Sequence, residues 1–383
     1  MEDVCHLAGG EEAFIECFGI LTLDIVDGAI DVDGLPLTES HIELGSSRSP
    51  TTHIVLFSWS GATVRCRGQS TKIVKSKSSV PQLVECVRQL NSKSVVLVIG
   101  PRGCGKSRAA KTVVNSLVKR RVNSVLVDLD GENGFVAPNT IASVEVTEGI
   151  LPHTEFGGVP IVYFASSNKS KGLYLHTVSQ LLACASWQAS QEGSHAIVVD
   201  LPYLGGETHR RVVDLVQPTS VLALGSDPQT DDFQSHVARM GTNCTITNLP
   251  ALHQSDNVST HRAECLQHYF LGGSRSLGTR AVAVALSQIH LVEIALNAGQ
   301  LQVQDIELHK TLLHCVAAVS HASQREEVPF ANIAGLCIIV GFSKEDDELH
   351  IMIPTGECFV PRPFLIVDSS LSALPGAFMA HTK

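Results

Sequence analysis

The chain has 383 residues, of which 44% are hydrophobic and 17% are charged, and its formal net charge is −10. This length suits a globular protein of two or three domains, and the acidic balance excludes a uniformly basic coat for nucleic acid. The sequence has no continuous apolar run of about eighteen residues and starts with acidic residues, so we expect an intracellular protein without a membrane span or signal peptide.

The first part of the chain has the pattern of a small β domain. Residues 1–90 consist of short runs in which apolar and polar residues alternate, such as ILTLDIVDGAIDVDGLPL and THIVLFSWSGATVRCRG, with turn residues between them. Alternation with a period of two is typical of strands that bury one face. We therefore predict an N-terminal antiparallel β domain over residues 1–90.

A phosphate-binding motif follows in the stretch SVVLVIGPRGCGKSRAAKTVV, residues 94–114. The pattern G-x-x-x-x-G-K-[ST] is matched by Gly100, Gly105, Lys106 and Ser107. In such a loop the backbone N–H groups hold phosphates, the lysine reaches the β and γ phosphates, and the hydroxyl ligates Mg²⁺. The motif predicts a site for a nucleoside triphosphate with Mg²⁺.

The residues on either side of the loop support this interpretation. The run 95–99 is uninterruptedly apolar, as in a buried parallel strand. The run 108–118 begins with strong helix formers and continues with apolar residues at helical spacing. We predict a strand, the loop and then a helix, which is the context that a phosphate loop requires.

A second acidic element follows in the stretch VNSVLVDLDGENG. Asp130 lies at the predicted C-terminal end of a strand, where its carboxylate would hold Mg²⁺ through water or accept a proton from an attacking hydroxyl. Asp128 to Gly131 also fits the D-x-x-G of GTPases. A GTPase would in addition need N-K-x-D for guanine, and the nearest string, at residues 168–171, lacks the acid.

The remaining chain predicts two further regions. From about residue 91, the strand candidates VVLVIG, SVLVDLD, VPIVYFA, AIVVDLP and SVLALGS alternate with helices, which indicates a mostly parallel sheet over residues 91–270. Residues 271–383 return to alternating strands. The predicted fold class is α/β, with a central P-loop NTPase domain flanked by an N-terminal β domain and a small, mainly β C-terminal domain. The polar stretch 230–260 predicts a mobile lid.

Charge is concentrated around the phosphate loop. Between Arg65 and Arg121 lie 14 of the 28 Lys and Arg residues and one acidic residue, Glu85. Such a band would favour a polyanion such as RNA, because its binding releases counterions. The alternative is that Lys119, Arg120 and Arg121 complement a helix C-terminus and the other basic residues form a solvated face. Charge alone leaves both interpretations open.

The cysteines and histidines give no sign of a metal centre. The 11 cysteines are odd in number and never spaced C-x-x-C, and the 17 histidines show no H-E-x-x-H pattern. We expect neither a disulfide framework nor a zinc site, and no metal beyond Mg²⁺ bound with the nucleotide.

The order of these motifs resembles that of the eukaryotic polyribonucleotide 5′-hydroxyl kinases, and above all the kinase-type subunit of the pre-mRNA cleavage and polyadenylation complex. The strings that carry the resemblance are GAIDVDGLPLTES, VIGPRGCGKS, VLVDLDGENGFVAPNTI, AIVVDLPYLGG, HYFLGG and the C-terminal PRPFLIVD. The resemblance covers nearly the whole chain. It implies ATP and Mg²⁺ as cofactors, transfer of the γ-phosphoryl group to an RNA 5′-hydroxyl, and work in the nucleus with other subunits of that complex.

The resemblance also implies roles for single residues. The loop from Gly103 through Cys104 to Arg108 would hold the phosphates, and Lys106 would stabilise charge on the transferring group. Asp130 matches the acidic residue near the attacking hydroxyl.

The family's residues that contact adenine and clasp RNA correspond to positions outside the phosphate loop. Glu12 and His53 fall where the N-terminal domain approaches the adenine, with His53 in place of a lysine. Tyr203 stands where a tryptophan normally stacks on the RNA base.

The sequence departs from the family at the positions that matter for catalysis. The acidic element D-x-x-Q ends in Asn133, and the threonine–proline clasp is replaced by residues 166–169, which contain no proline. Active members carry several arginines in the lid, whereas the lid segment here keeps Arg262, with Arg239 further upstream. An arginine on the γ-phosphate contributes roughly 10³- to 10⁵-fold in rate. The alternative is that an arginine from elsewhere, such as Arg102 inside the loop, supplies this charge.

Three functional hypotheses follow. The first is an ATP-binding subunit of the pre-mRNA 3′-end cleavage and polyadenylation machinery with a kinase fold and weak or absent catalysis. The second is a working ATP-dependent RNA 5′-hydroxyl kinase, which the presence of Lys106, Ser107 and Asp130 supports. The third is a different P-loop enzyme, such as a small-molecule kinase.

Overall fold

The computed structural model describes most of the chain. The described residues are 2–44, 52–131, 134–151, 158–165, 170–191, 195–204, 206–239, 244–252, 266, 269–270, 279–354 and 362–368. The chain divides into two compact units. Unit 1 comprises 1–129, 143–160 and 182–258, and unit 2 comprises 130–142, 161–181 and 259–383.

The N-terminal part of unit 1 is a sheet of seven strands. They are β1 (Glu2–Leu7), β2 (Glu11–Gly28), β3 (Asp31–Val32), β4 (Leu35–Pro36), β5 (His41–Leu44), β6 (Thr52–Ser58) and β7 (Ala62–Lys77). The order is β1-β7-β2-β6-β3-β4, β5 pairs with β2, and every pairing for which the register is given is antiparallel. Alternate residues of the long strands face a shared apolar core, as their alternating sequence predicts.

The central part of the chain forms a parallel sheet with helices, and most of its residues belong to unit 1. Its strands are β8 (Val95–Ile99), β9 (Ser124–Asp128), β10 (Thr140–Val146), β12 (Ala196–Asp200), β13 (Ser220–Leu224) and β14 (Thr245–Leu249). Strands β9, β12, β8, β13 and β14 lie side by side in this order and run parallel, and β10 lies beside β9. The helices are α1 (Val80–Val87), α2 (Lys106–Lys119), α3 (Lys171–Ser190), α4 (Gly206–Val216) and α5 (Pro228–Arg239).

The β8–α2 connection is the predicted strand–loop–helix unit. Four of the five β8 residues are buried, because a central parallel strand has both faces covered. Helix α2 begins at Lys106, and its apolar side chains Val113, Val114 and Leu117 are fully buried. The loop is thus anchored at both ends in the core.

Unit 2 contains β11 (Ile161–Phe164) and a further sheet of seven strands. The strands of that sheet are β15 (Thr279–Ala285), β16 (His290–Asn297), β17 (Gln300–Asp305), β18 (Val316–Ser320), β19 (Ile333–Ser343), β20 (Glu348–Pro354) and β21 (Phe364–Val367). Their order is β15-β20-β19-β18-β21-β16-β17, and all pairs are antiparallel except β16 with β21. Successive residues of β19 and β21 enter different apolar clusters, so both faces of this sheet are covered.

The predicted fold class is confirmed. The described residues form a P-loop α/β region with a β sheet on each side of it in the chain. The boundaries proposed near residues 90 and 270 stay predictions. None of the helices in the described part of the chain is long and apolar enough to cross a membrane.

The structure differs from the prediction of a lid over residues 230–260. Helix α5 and strand β14 occupy much of this stretch. Phe233 and Val237, one helical turn apart, are buried and hold α5 in place. Residues 240–243 and 253–260 lie outside the described ranges, so the prediction concerns fewer residues than the polar composition indicated.

Candidate functional site

The phosphate loop has a backbone that only glycine can form at two positions. At Gly100, an added Cβ would collide with the carbonyl oxygen of Leu224 and lie 2.6 Å from the Cys104 Sγ. Gly105 precedes α2 as its N-cap with a φ of 86°, in the left-handed region that other residues avoid. These constraints turn the chain from β8 into α2 within the predicted motif. The first backbone N–H groups of α2 have no acceptor inside the helix, so this end suits an anion.

The Lys106 side chain lies over the loop. Its Nζ donates hydrogen bonds to the carbonyl oxygens of Gly100, at 3.1 Å, and Pro101, at 2.9 Å. Ser107, the next residue of α2, is exposed. The ammonium and the hydroxyl therefore stand in the first turn of α2, where the motif requires them.

Cys104 is a packed residue of the loop. Its side chain is buried, and its carbonyl oxygen accepts a hydrogen bond from Leu252 N at 3.1 Å. Burial raises the pKa of the Cys104 thiol, although the nearby Lys106 ammonium opposes this. The thiol stays protonated at neutral pH, so it is a poor nucleophile.

We expect Cys104 to react slowly with an alkylating reagent, and ATP to slow the reaction further. Burial and the raised pKa account for the slow rate, and a nucleotide on the loop would restrict the opening that exposes the thiol. Mass spectrometry after timed exposure to iodoacetamide measures the modification of this one peptide. Equal rates with and without ATP would contradict occupancy of the loop, and the less buried Cys86 serves as the internal reference.

A buried ion-pair cluster lies beside the loop. The Arg108 Nη1 donates to Glu12 Oε2 at 2.8 Å, and its Nε donates to Asp33 Oδ1 at 3.2 Å. The side chains of Arg108 and Glu12 are 10% and 3% exposed. Glu12 also accepts hydrogen bonds from Ser78, at 2.9 Å, and Ser76, at 3.4 Å. Arg108 thus binds two acids of the N-terminal part of the chain, and its predicted role in holding phosphates stays a prediction.

The N-terminal sheet is fixed to α2 by further polar contacts. The Asn115 amide donates to the carbonyl oxygens of Asp33, at 2.8 Å, and Ile150, at 2.9 Å, and accepts from Ile150 N at 2.8 Å. Thr112 packs against Gly34 in the β3–β4 turn. The position of α2 is therefore set by the N-terminal sheet as well as by its own parallel sheet. His53, the other predicted adenine contact, lies on β6 opposite Glu16, and its side chain is outside the described part.

Two acidic residues that end neighbouring strands lie close to the loop. Asp200 ends β12, which pairs with β8 on one side and with β9 on the other, and its register partner on β9 is Asp128. Both carboxylates are buried. The charge of Asp200 acts on Cys104, which places this carboxylate near the loop. Asp200 was not predicted as a site residue, although AIVVD repeats the pattern of SVLVD, an apolar strand that ends in aspartate.

The other predicted catalytic residue, Asp130, belongs to unit 2. It follows Leu129, whose N–H donates to the Asp200 carbonyl oxygen at 3.0 Å. Its predicted part in catalysis and metal binding stays a prediction. Asn133, residues 166–169 and Arg262 lie outside the described ranges.

Tyr203, the predicted RNA clasp residue, is held by its hydroxyl. The hydroxyl bonds to Asp227, and this bond raises the pKa of Tyr203. Asp227 caps α5 by accepting from Thr230 N at 2.7 Å. Although burial raises the pKa of Asp227, the hydrogen bonds from Thr230 and Tyr203 hold it below its usual range. The Tyr203 ring is half-buried, and its stacking on RNA remains a prediction.

His209 is a buried histidine near the phosphate loop that was not predicted as a site residue. It packs against Phe233, and the sequence offers no spacing that distinguishes it from sixteen others. Burial lowers the pKa of His209 to about 4, and the nearby Lys106 charge acts in the same direction. The folded protein therefore holds this imidazole neutral at pH values where a free histidine is charged.

We expect His209 to make the protein less stable as the pH falls from about 6.5 toward 4. The unfolded chain binds a proton at His209 below about pH 6.5, whereas the folded chain resists it down to about pH 4, so the unfolded state is favoured. The loss between pH 7 and pH 5 is about 2 kcal/mol. Urea unfolding of wild type and His209→Gln at both pH values measures it. A loss of the same size in His209→Gln would contradict this assignment, and the exposed His6→Gln is the control.

Several side chains of the basic band form ion pairs with acidic side chains in the structure. Its ion pairs include Arg65–Glu2 (2.9 Å), Arg67–Asp24 (2.7 Å), Arg88–Glu85 (2.6 Å), Arg108–Glu12 (2.8 Å), Arg108–Asp33 (3.2 Å) and Lys119–Asp31 (3.8 Å). Arg120 donates to the carbonyl oxygens of Val87 and Leu90, close to the end of α1. Except for Glu85, these acidic residues lie before residue 34. A count of charges between residues 65 and 121 therefore does not include them. The structure favours the structural interpretation of the band over a continuous basic surface.

Comparison with known proteins agrees with this geometry. Residues 100–272 match the family model described as the P-loop of the mRNA cleavage and polyadenylation factor CLP1. Residues 100–272 are therefore similar to the CLP1 P-loop family. The family match begins at Gly100 and so includes the whole phosphate loop and helices α2 to α5.

Curated CLP1 proteins are similar to most of the chain. The Arabidopsis thaliana protein CLP1 homolog is 23% identical over 91% of this chain and 89% of its own length. The Botryotinia fuckeliana mRNA cleavage and polyadenylation factor clp1 is 20% identical over 70% of each.

Solved structures of Clp1p share the fold. A structure of Clp1p with Pcf11p, which addresses ATP loss in a point mutant, matches with a TM-score of 0.80 and 16% identity over 96% of this chain and 98% of that chain. The wild-type Clp1p–Pcf11p complex gives a TM-score of 0.79 at 15% identity, over 96% and 97%. The CLP1 fold therefore extends over nearly the whole chain.

Proposed function

We propose that the chain is an ATP-binding subunit of the nuclear pre-mRNA 3′-end cleavage and polyadenylation machinery, and that it holds ATP with weak or absent phosphoryl transfer. The observation that carries the proposal is a complete phosphate loop, with Lys106 and Ser107 in the first turn of α2, within a fold that matches Clp1p over 96% of this chain. The similarity of most of the chain to CLP1 proteins supports the cellular role.

The residues at the loop fit ATP with Mg²⁺. The first turn of α2 offers backbone N–H groups and the Lys106 ammonium to the phosphates. The exposed Ser107 hydroxyl and the strand-end carboxylates Asp128 and Asp200 are oxygen donors, which Mg²⁺ prefers. When bound, Mg²⁺ would neutralise charge on the β and γ phosphate oxygens. Asp130 remains the residue proposed to hold Mg²⁺ through water or to accept a proton from an attacking hydroxyl.

The charges near the loop favour holding ATP over transferring its γ-phosphoryl group. Transfer needs cations on the departing group, and an arginine there contributes roughly 10³- to 10⁵-fold in rate. Arg108 is committed to Glu12 and Asp33, and the Nε of Arg239 donates to the Ser235 carbonyl oxygen within α5. Binding of the β phosphate by Lys106 needs none of these arginines.

A working RNA 5′-hydroxyl kinase is the second candidate. It is favoured by the presence of Lys106, Ser107 and Asp130 together. In that reaction Asp130 would accept the proton of the RNA 5′-hydroxyl, which attacks the γ-phosphorus as the bond to the β-phosphate oxygen breaks.

Transfer of labelled γ-phosphate from ATP to a short 5′-hydroxyl RNA separates the two candidates. Wild type, Lys106→Ala and Asp130→Asn are compared, with ATP binding measured on the same samples. We expect wild type to bind ATP and to label RNA no faster than Lys106→Ala. Labelling that requires both Lys106 and Asp130 would establish the kinase and overturn the proposal of a holder. Absence of ATP binding by wild type would overturn both.

The cellular part of the proposal has its own test. A tagged chain expressed in its native cells should locate to the nucleus and co-purify with cleavage and polyadenylation subunits after RNase treatment. RNase separates a protein partner from a shared RNA. A cytoplasmic location, or no such subunit in the purified material, would contradict this assignment.

A further inference from the structure

Strand β14 forms one edge of the central parallel sheet. It pairs with β13 on one side, and among the described residues no strand pairs with its other side. The Thr245 N–H donates to the Thr219 carbonyl oxygen, just before β13, at 3.1 Å. Because successive residues of a strand direct their N–H and C=O groups to opposite sides, Thr245 faces β13, and Ile246 and Asn248 face outward. The outer edge of β14 therefore presents the backbone donors and acceptors of two residues.

The outer strands of the other two sheets are protected against pairing, whereas β14 is not. Strand β4 has two residues, and β1 carries charged side chains. Arg280 lies on β15, and the Arg325 guanidinium covers β17 by donating to the Val303 carbonyl oxygen at 2.7 Å. Short strands, charges and covers of this kind prevent a sheet edge from pairing with another chain. The sequence of β14, TITNL, has no charge and no proline, so its edge is open to a further strand.

A groove of about 700 Å³ lies beside this edge. One wall is a face of α1 and the other is formed by alternate side chains of β14; they include Gln82, Glu85, Cys86, Gln89, Thr245 and Thr247. On the opposite face of β14, the Gln234 amide of α5 donates to Asn248 Oδ1 at 2.7 Å. The edge thus lies between two helices, an arrangement that suits a single extended chain better than the edge of a second folded sheet.

The side chains of the groove are polar, and one of their charges is unpaired. The Glu85 carboxylate is bound by Arg88 at 2.6 Å. Lys93 is exposed and has no ion-pair partner within the described part of the chain. Glutamine, asparagine and threonine side chains complement hydroxyl and amide groups, and the Lys93 ammonium attracts a carboxylate. A segment of such polar residues, with an acidic residue near Lys93, therefore fits the groove.

We propose that β14 and the groove bind an extended segment of a partner protein, which joins the parallel sheet as an additional strand. The N–H and C=O groups of Ile246 and Asn248 form hydrogen bonds with the backbone of that strand, and its alternate side chains lie in the groove. The groove includes Ser94 and Ser220, at the starts of β8 and β13, whereas the phosphate loop follows the end of β8. The partner site and the phosphate loop are therefore separate.

Hydrogen exchange measured by mass spectrometry tests whether a partner covers the edge. The tagged full chain is purified from its native cells after RNase treatment, and peptides that contain residues 245–249 are compared with those of the chain produced alone. We expect the Ile246 and Asn248 amides to exchange at least about tenfold more slowly in the native assembly. Equal exchange in the two samples would overturn the proposal. Protection in the chain produced alone, together with a dimeric mass, would also overturn it, because a second copy would then cover the edge.

Ile246→Pro tests the backbone contact directly. Proline removes the outward N–H of residue 246 and no hydrogen bond to β13, and Ile246→Val keeps this N–H as the matched control. We expect Ile246→Pro to lose a polypeptide that Ile246→Val retains, while urea unfolding shows both variants folded. Lys93→Glu, which leaves the backbone unchanged, should reduce the recovery of the same polypeptide, and it replaces Ile246→Pro if that variant does not fold. Retention of every polypeptide by the folded variants would overturn the proposal.

The same samples separate a failure of this proposal from a failure of the proposed function. An assembly without cleavage and polyadenylation subunits would contradict the cellular role, whereas protection of Ile246 and Asn248 within that assembly would still support strand addition.

Discussion

Replacing Lys106 with alanine is expected to weaken ATP binding by about 10- to 100-fold while leaving the fold intact. The ammonium is the cation of the motif that reaches the β and γ phosphates, and a hydrogen bond to a charged group is worth about 1.5–3 kcal/mol. In the structure its partners are the loop carbonyl oxygens of Gly100 and Pro101, at the edge of the core, so its removal leaves no buried charge unpaired. Calorimetric titration with ATP measures the effect.

Two control measurements distinguish the loss of a phosphate contact from a general effect of removing a positive charge from α2. Lys111→Ala, one turn further along α2, removes the same charge away from the loop and should bind ATP as wild type does. ATP should also raise the melting temperature of wild type and of Lys111→Ala, and raise that of Lys106→Ala much less. Unchanged ATP affinity in Lys106→Ala would mean that the loop is not the nucleotide site.

The second large effect concerns stability. Replacing Glu12 with alanine should lower the free energy of unfolding by about 3 kcal/mol, because Arg108 is nine-tenths buried and would keep only Asp33 as a partner. The two serine hydroxyls on Glu12 would also lose their acceptor. Urea unfolding at pH 7 measures the change. Glu16→Ala on the same strand should cost less than about 1 kcal/mol, because this side chain is less buried.

The double variant Glu12→Ala/Arg108→Met tests whether the loss of stability comes from the ion pair. If Glu12→Ala is harmful because it leaves Arg108 with Asp33 as its one remaining ion-pair partner, adding Arg108→Met should recover part of the loss. The free energy of unfolding of the double variant should then fall by less than the sum of the losses in the two single variants. Additive losses would show that Glu12 acts through packing or its serine contacts instead.

The phosphate loop could be predicted from the sequence because its information is local. A five-residue apolar strand, a glycine pattern and a helix start occur in consecutive positions, and each has a physical meaning that does not depend on the rest of the chain. The Glu12–Arg108 pair could not, because its partners are 96 positions apart and no periodicity relates them. The predicted role of Arg108 on the phosphates followed from its place in the loop, whereas its contacts depend on where β2 packs.

The same distinction explains the missed helix in the predicted lid. The chain signals α5 locally, with Asp227 as cap and a proline at the first helical position, but its surface is so polar that the overall composition suggested a loop. Two buried side chains were enough to hold it. Asp200 was missed for another reason: a strand-end aspartate is significant only once its strand is known to lie beside β8.

The alternation of the two compact units along the chain has a consequence for protein synthesis. Unit 1 takes its residues from three separate segments, the last of which ends at residue 258, and unit 2 begins at residue 130. A ribosome therefore delivers pieces of both before either is complete, so neither can fold as a finished unit while the chain is still short. Expression of a single fragment cut between them would omit part of its core, and a nascent chain stalled before residue 258 should remain a target for chaperones.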